Sequence, residues 1–372
     1  MASRVKRYTG TSIYESLAER LRVGIREGHY APGQLIGSEH ELSRRENISR
    51  MTVRKASEVL IAEGLLERRP GKGLYVKSCS KNSGVRTVQV VGNMLWPTSL
   101  EMARGVQSAV KDEKMHIQIY DAHGDVELDM ALVESLPRTQ AEGAVIIALH
   151  HPRFTEMICR LHMTRFPLVL LDQRMHDIEV SSVTSDNYRG GYLVGELLGR
   201  MGHVRVSFIG DLMAATVRDR INGFRDGLAE FGIALKKEQV MDLDVGIDRF
   251  GDWSEKISAG VKRLFDKKPY PTAIFCSCDA VARQVYRDMD GLGLRIPQDV
   301  SVIGCDDDSN IVDYLHPGLT TIRQSFGDLG RTAMELLKRR IQSPESPVES
   351  LILPVELVMR ESVGPPRKEQ DS

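Results

Sequence analysis

Arg50 and Arg54 stand four residues apart, so on a helix they share one face, with Thr52 and Lys55 beside them. Two guanidiniums near a helix N-terminus can bond phosphates or fork onto guanine edges in a major groove. A solvated basic helix face would carry the same residues. The next residues favour the first reading. Segments 65–69 and 73–77 read as a β-hairpin whose tip, Pro70-Gly71-Lys72-Gly73, lets backbone approach a phosphate or enter a minor groove. The tip is not a phosphate-binding P-loop, because the Gly-x4-Gly-Lys-Ser/Thr spacing is absent.

A second set of chemistry-bearing residues gathers where short apolar runs end. His150 and His151 follow the run 144–149, and Asp172 and Arg174 follow 168–171. Asp186-Asn187 precedes a helix, and Arg218 and Arg220 follow Ile209-Gly210. Trp253 lies in Gly251-Asp252-Trp253-Ser254, Asp279 follows 273–276, and Asp306-Asp307-Asp308 follows 300–304. Carboxylates accept from hydroxyl pairs, arginine donates in a fork, and an indole covers the C–H face of a sugar ring. The set therefore suits a polyhydroxylated ligand. Plainer readings stand beside it. Asp186 and Asp279 can simply cap helices, the three aspartates can form a solvated turn or a metal site, His150-His151 can be a loop pair, and Trp253 can be core. Cys276-x-Cys278 lacks a second pair or a nearby histidine and reads as structural rather than as zinc ligands. No Ser/His/Asp, metal or nucleophile constellation stands out, so neither catalysis nor a cofactor is expected.

The elements that must position these groups are legible as patterns. Ser12-Ile13-Tyr14-Glu15 is a capping box, followed by Ile13, Leu17, Leu21 and Ile25 as one apolar stripe, with Gly28 as a stop. Pro32-Gly33 marks a turn. Ser38-Glu39-His40-Glu41 opens a second helix that Asn47 ends, and Ser49 caps a third in which Val53, Ala56, Ser57 and Leu60 face inward. Residues 78–84 are small and polar and read as a linker. Beyond residue 86, apolar runs at 88–94, 117–120, 144–149, 168–171, 204–209, 273–276 and 300–304 alternate with amphipathic stretches such as 100–114 and 190–201. That is the rhythm of parallel sheets flanked by helices, with strands enough for two sheets. Ligands in such folds sit beyond the carboxyl ends of the strands.

Composition sets the outer bounds. The chain has 372 residues, 41% hydrophobic and 27% charged, which suits two or three soluble domains. A net charge of −1 hides an asymmetry: residues 1–77 hold 15 Lys/Arg against 9 Asp/Glu, and the remainder 35 against 42. A basic amino-terminal unit beside an acidic remainder points to phosphate binding in the first only. No signal-peptide-like start and no membrane-length apolar run are present, and the five cysteines form no disulfide framework, so a cytoplasmic protein is expected.

Two family resemblances follow from these residues. Residues 12–77 resemble the winged-helix domain of the GntR family of bacterial regulators. The matching pieces are Pro32-Gly33, Ser38-Glu39-x-Glu41-Leu42, Ser49-Arg50-x-Thr52-Val53-Arg54, and Glu63-Gly64-Leu65-Leu66 with Gly71-x-Gly73. The resemblance places DNA contacts on Arg50, Thr52, Arg54, Lys55, Gly71 and Lys72. It also marks His40 as a departure, since the family usually carries Arg there. Residues 86–364 resemble the effector domain of LacI-type regulators, which has the periplasmic sugar-binding-protein fold. Its pieces include Ser185-Asp186-Asn187, Phe208-Ile209-Gly210, Arg220-Ile221-x-Gly223-Phe224, Pro271-Thr272-Ala273-Ile274-Phe275, the stretch 291–304, and Leu353-Pro354-x-Glu356-Leu357.

The second resemblance implies ligand contacts at Arg220, Asp306, Trp253 and Asp279. It puts Cys278 where the family commonly has Asn, with His150 filling part of that gap. It also implies a chain that crosses between two lobes near Thr184, Arg323 and Leu353. Residues 365–372 would be a polar tail. The expected whole is an α/β protein, a winged helix-turn-helix joined by a linker at 78–85 to a two-lobed domain. LacI-type proteins themselves carry a different helix-turn-helix and a hinge helix, both replaced here. The implied function is a homodimeric repressor on near-palindromic operator DNA, controlled by a small carbohydrate. An activator, or a sensor of a purine or another non-sugar metabolite, is the alternative.

Overall fold

Continuous apolar strands and amphipathic helices can be satisfied only by layering, and the computed structural model shows how. It describes residues 13–26, 29–31, 33–77, 86–110, 114–147, 153–175, 178–245 and 253–367. The chain divides into two compact units, Met1–Val85 and Arg86–Ser372. Among the described residues no helix is long and apolar enough to cross a membrane. The expected cap at Ser12, the stop at Gly28, the turn residue Pro32, the linker 78–85 and the end of the polar tail lie outside the described residues.

The first unit contains α1 (Ile13–Arg26), β1 (Leu35–Gly37), α2 (Glu39–Glu46), α3 (Arg50–Ala62), β2 (Leu66–Arg69) and β3 (Gly73–Val76). Ser38 and Glu41 form the expected capping box on α2, and Asn47 ends that helix in the left-handed region. Ser49 caps α3 by accepting from the Thr52 amide. The inward set Val53, Ala56, Ser57 and Leu60 is buried against Leu17, Leu21, Leu66 and Leu74. The α1 stripe needs one correction. Ile13 is 65% exposed, and Tyr14 packs on the core instead. Residues spaced by four drift about 40° per step around a helix, so a run from Ile13 to Ile25 cannot keep one face. Strands β2 and β3 form the hairpin, with Leu66 opposite Val76 and Arg69 opposite Gly73. β1 adds to β3 on its other side, a pairing the short Leu35-Ile36-Gly37 segment does not announce.

The second unit holds two six-stranded sheets. The first lobe runs β4 (Arg86–Val91), α4 (Pro97–Ser108), β5 (Met115–Tyr120), α5 (Val126–Ser135), β6 (Gly143–Ile147), α6 (Phe154–Met163), β7 (Leu168–Leu171) and β8 (Ser182–Ser185). The second lobe runs α7 (Asn187–Arg200), β9 (Val206–Gly210), α8 (Ala215–Ala229), β10 (Val240–Asp242), α9 (Ser254–Leu264), β11 (Ala273–Cys276), α10 (Asp279–Gly291), β12 (Ser301–Asp306), α11 (Ser309–Val312) and β13 (Thr320–Arg323). The chain then returns to the first lobe for α12 (Phe326–Gln342) and β14 (Ser350–Leu353), and ends in the second with β15 (Glu356–Val358). Three crossings join the lobes, after Ser185, Arg323 and Leu353, at the places the resemblance implied.

Burial on both faces explains the unbroken apolar strands. Along β6, Val145 and Ile147 face a core with α4 and α12, while Ala144 and Ile146 face one with α5 and α6. In the second lobe, Ile274 and Cys276 share one face of β11, and Ala273 and Phe275 the other. Cys276 is therefore a core residue. The pair α7 and α8 packs through glycines at four-residue spacing, Gly191 and Gly195 against Gly223 and Gly227. A Cβ on Gly191 would overlap the carbonyl of Arg220, so this close approach sets where Arg220 stands.

Candidate functional site: a nucleic-acid face and a ligand cavity

On the first unit, Arg50, Arg54 and Lys55 are exposed on α3, as their spacing requires. Arg54 Nε lies 3.1 Å from Glu58 Oε1 in an exposed ion pair. Such a pair contributes about 0–1 kcal/mol and exchanges readily for a phosphate. Lys55 Nζ sits 4.2 Å above the Tyr14 ring. The Thr52 hydroxyl is 2.8 Å from Ser49 Oγ, so it belongs to the helix cap. At the wing, Gly71 has φ 72° and the Lys72 amide donates to Arg69 O at 3.0 Å, which closes the turn. Arg68 donates to Glu39 at 2.6 Å, tying β2 to α2. The side chains of Arg50, Lys72 and His40 make no hydrogen bond or ion pair among the described residues. This leaves two cations and an imidazole available on α2, α3 and the wing tip.

On the second unit, a cavity of about 420 Å³ opens between the lobes. Residues at or just past the strand ends build its wall: Asn93 after β4, Asp172 after β7, Asp211 after β9, Ser277 and Cys278 after β11, and Asp306 at the end of β12. Every one of these strands presents its carboxyl end, as parallel sheets place ligand sites. Asp172 and Asp306 both have positive φ, 56° and 128°. Non-glycine residues held there carry strain that persists where the surroundings over-determine it.

Arg220 sits in the field of both carboxyls. It is 5% exposed, donates from Nε to Asn187 Oδ1 at 2.7 Å, and donates from Nη1 to Ser277 O. Burial works against its charge, but the groups around it, Cys305 and the carboxyls of Asp306 and Asp172 among them, hold its pKa above the ordinary value. Burial pushes the Asp172 carboxyl up to about 6, opposed by Arg220. It pushes Asp306 up to about 7, opposed by Arg220 and by a 2.7 Å hydrogen bond from Gln324 Nε2. Both carboxyls thus titrate near neutrality.

Four polar atoms on this wall are buried and have no hydrogen-bond partner among the described residues: Asn93 Nδ2, Asp172 Oδ1, Trp253 Nε1 and Gln324 Oε1. Two are donors and two are acceptors. Unpaired buried groups cost about 1–3 kcal/mol each, so their convergence on one cavity marks where a ligand would satisfy them. Trp253 faces Trp96 with ring centroids 5.3 Å apart, an aromatic wall supplied by both lobes.

The expected ligand residues do not all reach the cavity. Arg220, Asp306, Trp253 and Cys278 line it together. Burial pushes the Cys278 thiol up to about 12, so it presents a neutral surface. Asp279 must be corrected. It is fully buried away from the cavity, accepting from Thr321 Oγ1 at 2.7 Å and from the Asp308 amide at 2.9 Å. Its carboxylate anchors the turn that carries Asp306. His150 and His151 lie outside the described residues. Asp186 caps α7. Asp307 pairs with Arg323 and Arg360, and Asp308 caps α11, so of the aspartate run only Asp306 is left to face the ligand without a structural partner of that kind. Among the described residues no His/Cys/Asp/Glu group could hold a metal. Arg218 donates to the carbonyls of Leu212 and Met213 and braces a loop. Sequence patterning missed Asn93, Trp96, Ser277 and Gln324. Asn93 and Trp96 follow an apolar run as Asp172 does, so the same signal was available for them.

Comparison with known proteins places both units. Residues 13–76 match the family model described as bacterial regulatory proteins, gntR family, and residues 195–363 match the periplasmic binding protein-like domain. The repressor PurR of Photorhabdus laumondii is 30% identical over 271 residues, covering 72% of this chain and 76% of that protein. The ribose operon repressor of Haemophilus influenzae is 28% identical, covering 75% and 82%. A LacI family regulator of Enterococcus faecium, solved with bound ribose, superposes with a TM-score of 0.64 at 27% identity, covering 75% of this chain and 99% of that one. The chain therefore belongs to the LacI/PurR-type transcriptional repressors, with a winged helix-turn-helix ahead of a periplasmic-binding-protein-like domain that takes a small ligand.

Proposed function

We propose that this repressor is released from, or tightened onto, its operator by a small polyhydroxylated metabolite held between the two lobes. The observation that carries the reading is the cavity wall itself. A hydroxyl both donates and accepts, so a polyol can satisfy Asn93 Nδ2, Trp253 Nε1, Asp172 Oδ1 and Gln324 Oε1 together. Asp172 and Asp306 accept from hydroxyl pairs while Arg220 stays charged between them. The ribose-bound relative supports a sugar of that size. A second reading, a planar nitrogenous base, rests on the Trp96–Trp253 wall, which can stack a flat ring.

DNA binding follows the gntR-like pattern, with Arg50, Thr52, Arg54, Lys55 and His40 on the helices and Gly71-Lys72 at the wing. Two such units in a cytoplasmic homodimer would read a near-palindromic site. Ligand closes the lobes, the dimer geometry changes, and the half-site spacing is matched or lost. A thermal-shift panel on the full chain tests the ligand class, using D-ribose, D-glucose, adenine and hypoxanthine. Stabilisation by a sugar is expected. Stabilisation by a base alone would replace the polyol reading with the second.

A further inference from the structure

Behind the two indoles lies a second compartment of about 280 Å³, lined by Trp96, Trp253, Ser254, Ala280, Arg283 and Arg287 among others. It shares Trp96, Trp253, Ala280 and Arg283 with the main cavity, so the two adjoin. Their charges differ. The main cavity carries Asp172, Asp211, Asp306 and Asp308 against Arg220 and the shared Arg283. The second is lined by two arginines and, among the described residues, by no carboxylate. Arg283 and Arg287 are one helical turn apart on α10, both exposed. Neither makes a hydrogen bond or an ion pair among the described residues. Arg160 and Arg200, also exposed on helices, each have a glutamate partner one turn away, Glu156 and Glu196. Two unpaired guanidiniums on one helix face repel one another, and an anion between them would remove that repulsion.

We infer that the ligand is a phosphomonoester, with its polyol end in the main cavity and its phosphate between Arg283 and Arg287. This rests on the polyol reading of the main cavity. A phosphate offers the acceptor oxygens that planar guanidiniums hold in pairs. The difference in charge then orients the ligand: a phosphate in the main cavity would meet four aspartates against Arg220 and Arg283, and one in the second compartment meets only arginines among the described charged residues. Trp96 and Trp253 form the waist between the two ends, where a sugar ring presents its C–H face.

The test is calorimetric titration of the full chain with D-ribose and D-glucose, with the phosphomonoester of each, and with inorganic phosphate. It is run on wild type, on Arg287→Gln, and on Arg283→Gln/Arg287→Gln. One phosphomonoester is expected to bind at least about tenfold more tightly than its parent sugar. Arg287→Gln should reduce that advantage while leaving the parent sugar's affinity unchanged, and the double variant should abolish it. Raised ionic strength should erode the advantage and not the parent's binding. A parent sugar that binds as well as its ester, or an advantage that survives both substitutions, overturns the phosphate assignment and leaves the polyol reading standing. Failure of every sugar and every ester to bind overturns both. Binding of inorganic phosphate alone, undiminished in the double variant, locates the anion elsewhere and overturns the assignment.

Discussion

Trp96 and Trp253, the only two tryptophans in the chain, pack against each other in the wall of the ligand cavity at a centroid distance of 5.3 Å and an interplanar angle of 44°. Trp96 precedes α4 of the first lobe and Trp253 precedes α9 of the second. Lobe closure and ligand entry must therefore both change the surroundings of these indoles. Ligand binding should give a saturable change in intrinsic fluorescence, and Trp253→Ala should lower affinity about tenfold by removing one ring face and its donor. A ligand that binds by calorimetry without altering fluorescence would contradict this placement.

The pH dependence of binding and of stability should run in opposite directions. Asp172 and Asp306, pushed up to about 6 and about 7, accept from a ligand hydroxyl pair with both oxygens only when ionised. Ligand affinity should fall as pH drops through that range. In the empty protein the sign reverses. A carboxyl whose folded pKa lies above its unfolded value of 3.8 binds its proton preferentially in the folded state. Its contribution therefore rises as pH falls from about 7 and is complete below about 4. Thermal unfolding of wild type against Asp172→Asn and Asp306→Asn, each across pH, checks this. Each substitution should flatten the slope, and unchanged slopes would contradict the assignment.

Gly191 on α7 touches the backbone of α8 at Arg220. Gly191→Val should push the helices apart, cost about 1–3 kcal/mol, and displace the guanidinium from the cavity. Loss of ligand affinity beyond the loss of stability is expected in denaturant melts paired with titrations. An unshifted midpoint would show that the contact yields.

The DNA face predicts a different pattern. Arg50→Ala and Arg54→Ala should each weaken binding to an operator selected from a random pool by about 1–3 kcal/mol, at matched salt, with ligand affinity unchanged. Arg54 exchanges its Glu58 partner for DNA, so its loss should be the smaller. Lys72→Ala should weaken all sequences alike. Normal affinity for both arginine variants would remove α3 from the interface.

Periodicity made much of this legible. The winged-helix caps at Ser38, Asn47 and Ser49 are local, chemical signals, and they stand where read. Strands 168–171 and 273–276 match because their runs are buried on both faces. Strands β8, β14 and β15 alternate or carry small polar residues, so no apolar run betrayed them. At the site, Arg220 and Asp306 were recognisable because they follow predicted strands and fall on motifs of the LacI-type resemblance. Asp279 was misread because a strand-end aspartate can equally hold a neighbouring turn, and only the positions of Thr321 and Asp308 decide. Gln324 is brought to the cavity by the crossing after β13, a convergence with Asp306 that no local pattern encodes.

The central claim is that occupancy of the Asp172–Arg220–Asp306 cavity controls the winged helix. The direct measurement is fluorescence anisotropy of a labelled operator titrated with the full chain, with and without saturating ligand, for wild type and Arg220→Gln. Ligand should change the operator affinity of wild type by about tenfold or more, while Arg220→Gln binds operator normally and does not respond. A ligand that binds wild type yet leaves operator affinity unchanged, or a response that survives in Arg220→Gln, would contradict the account.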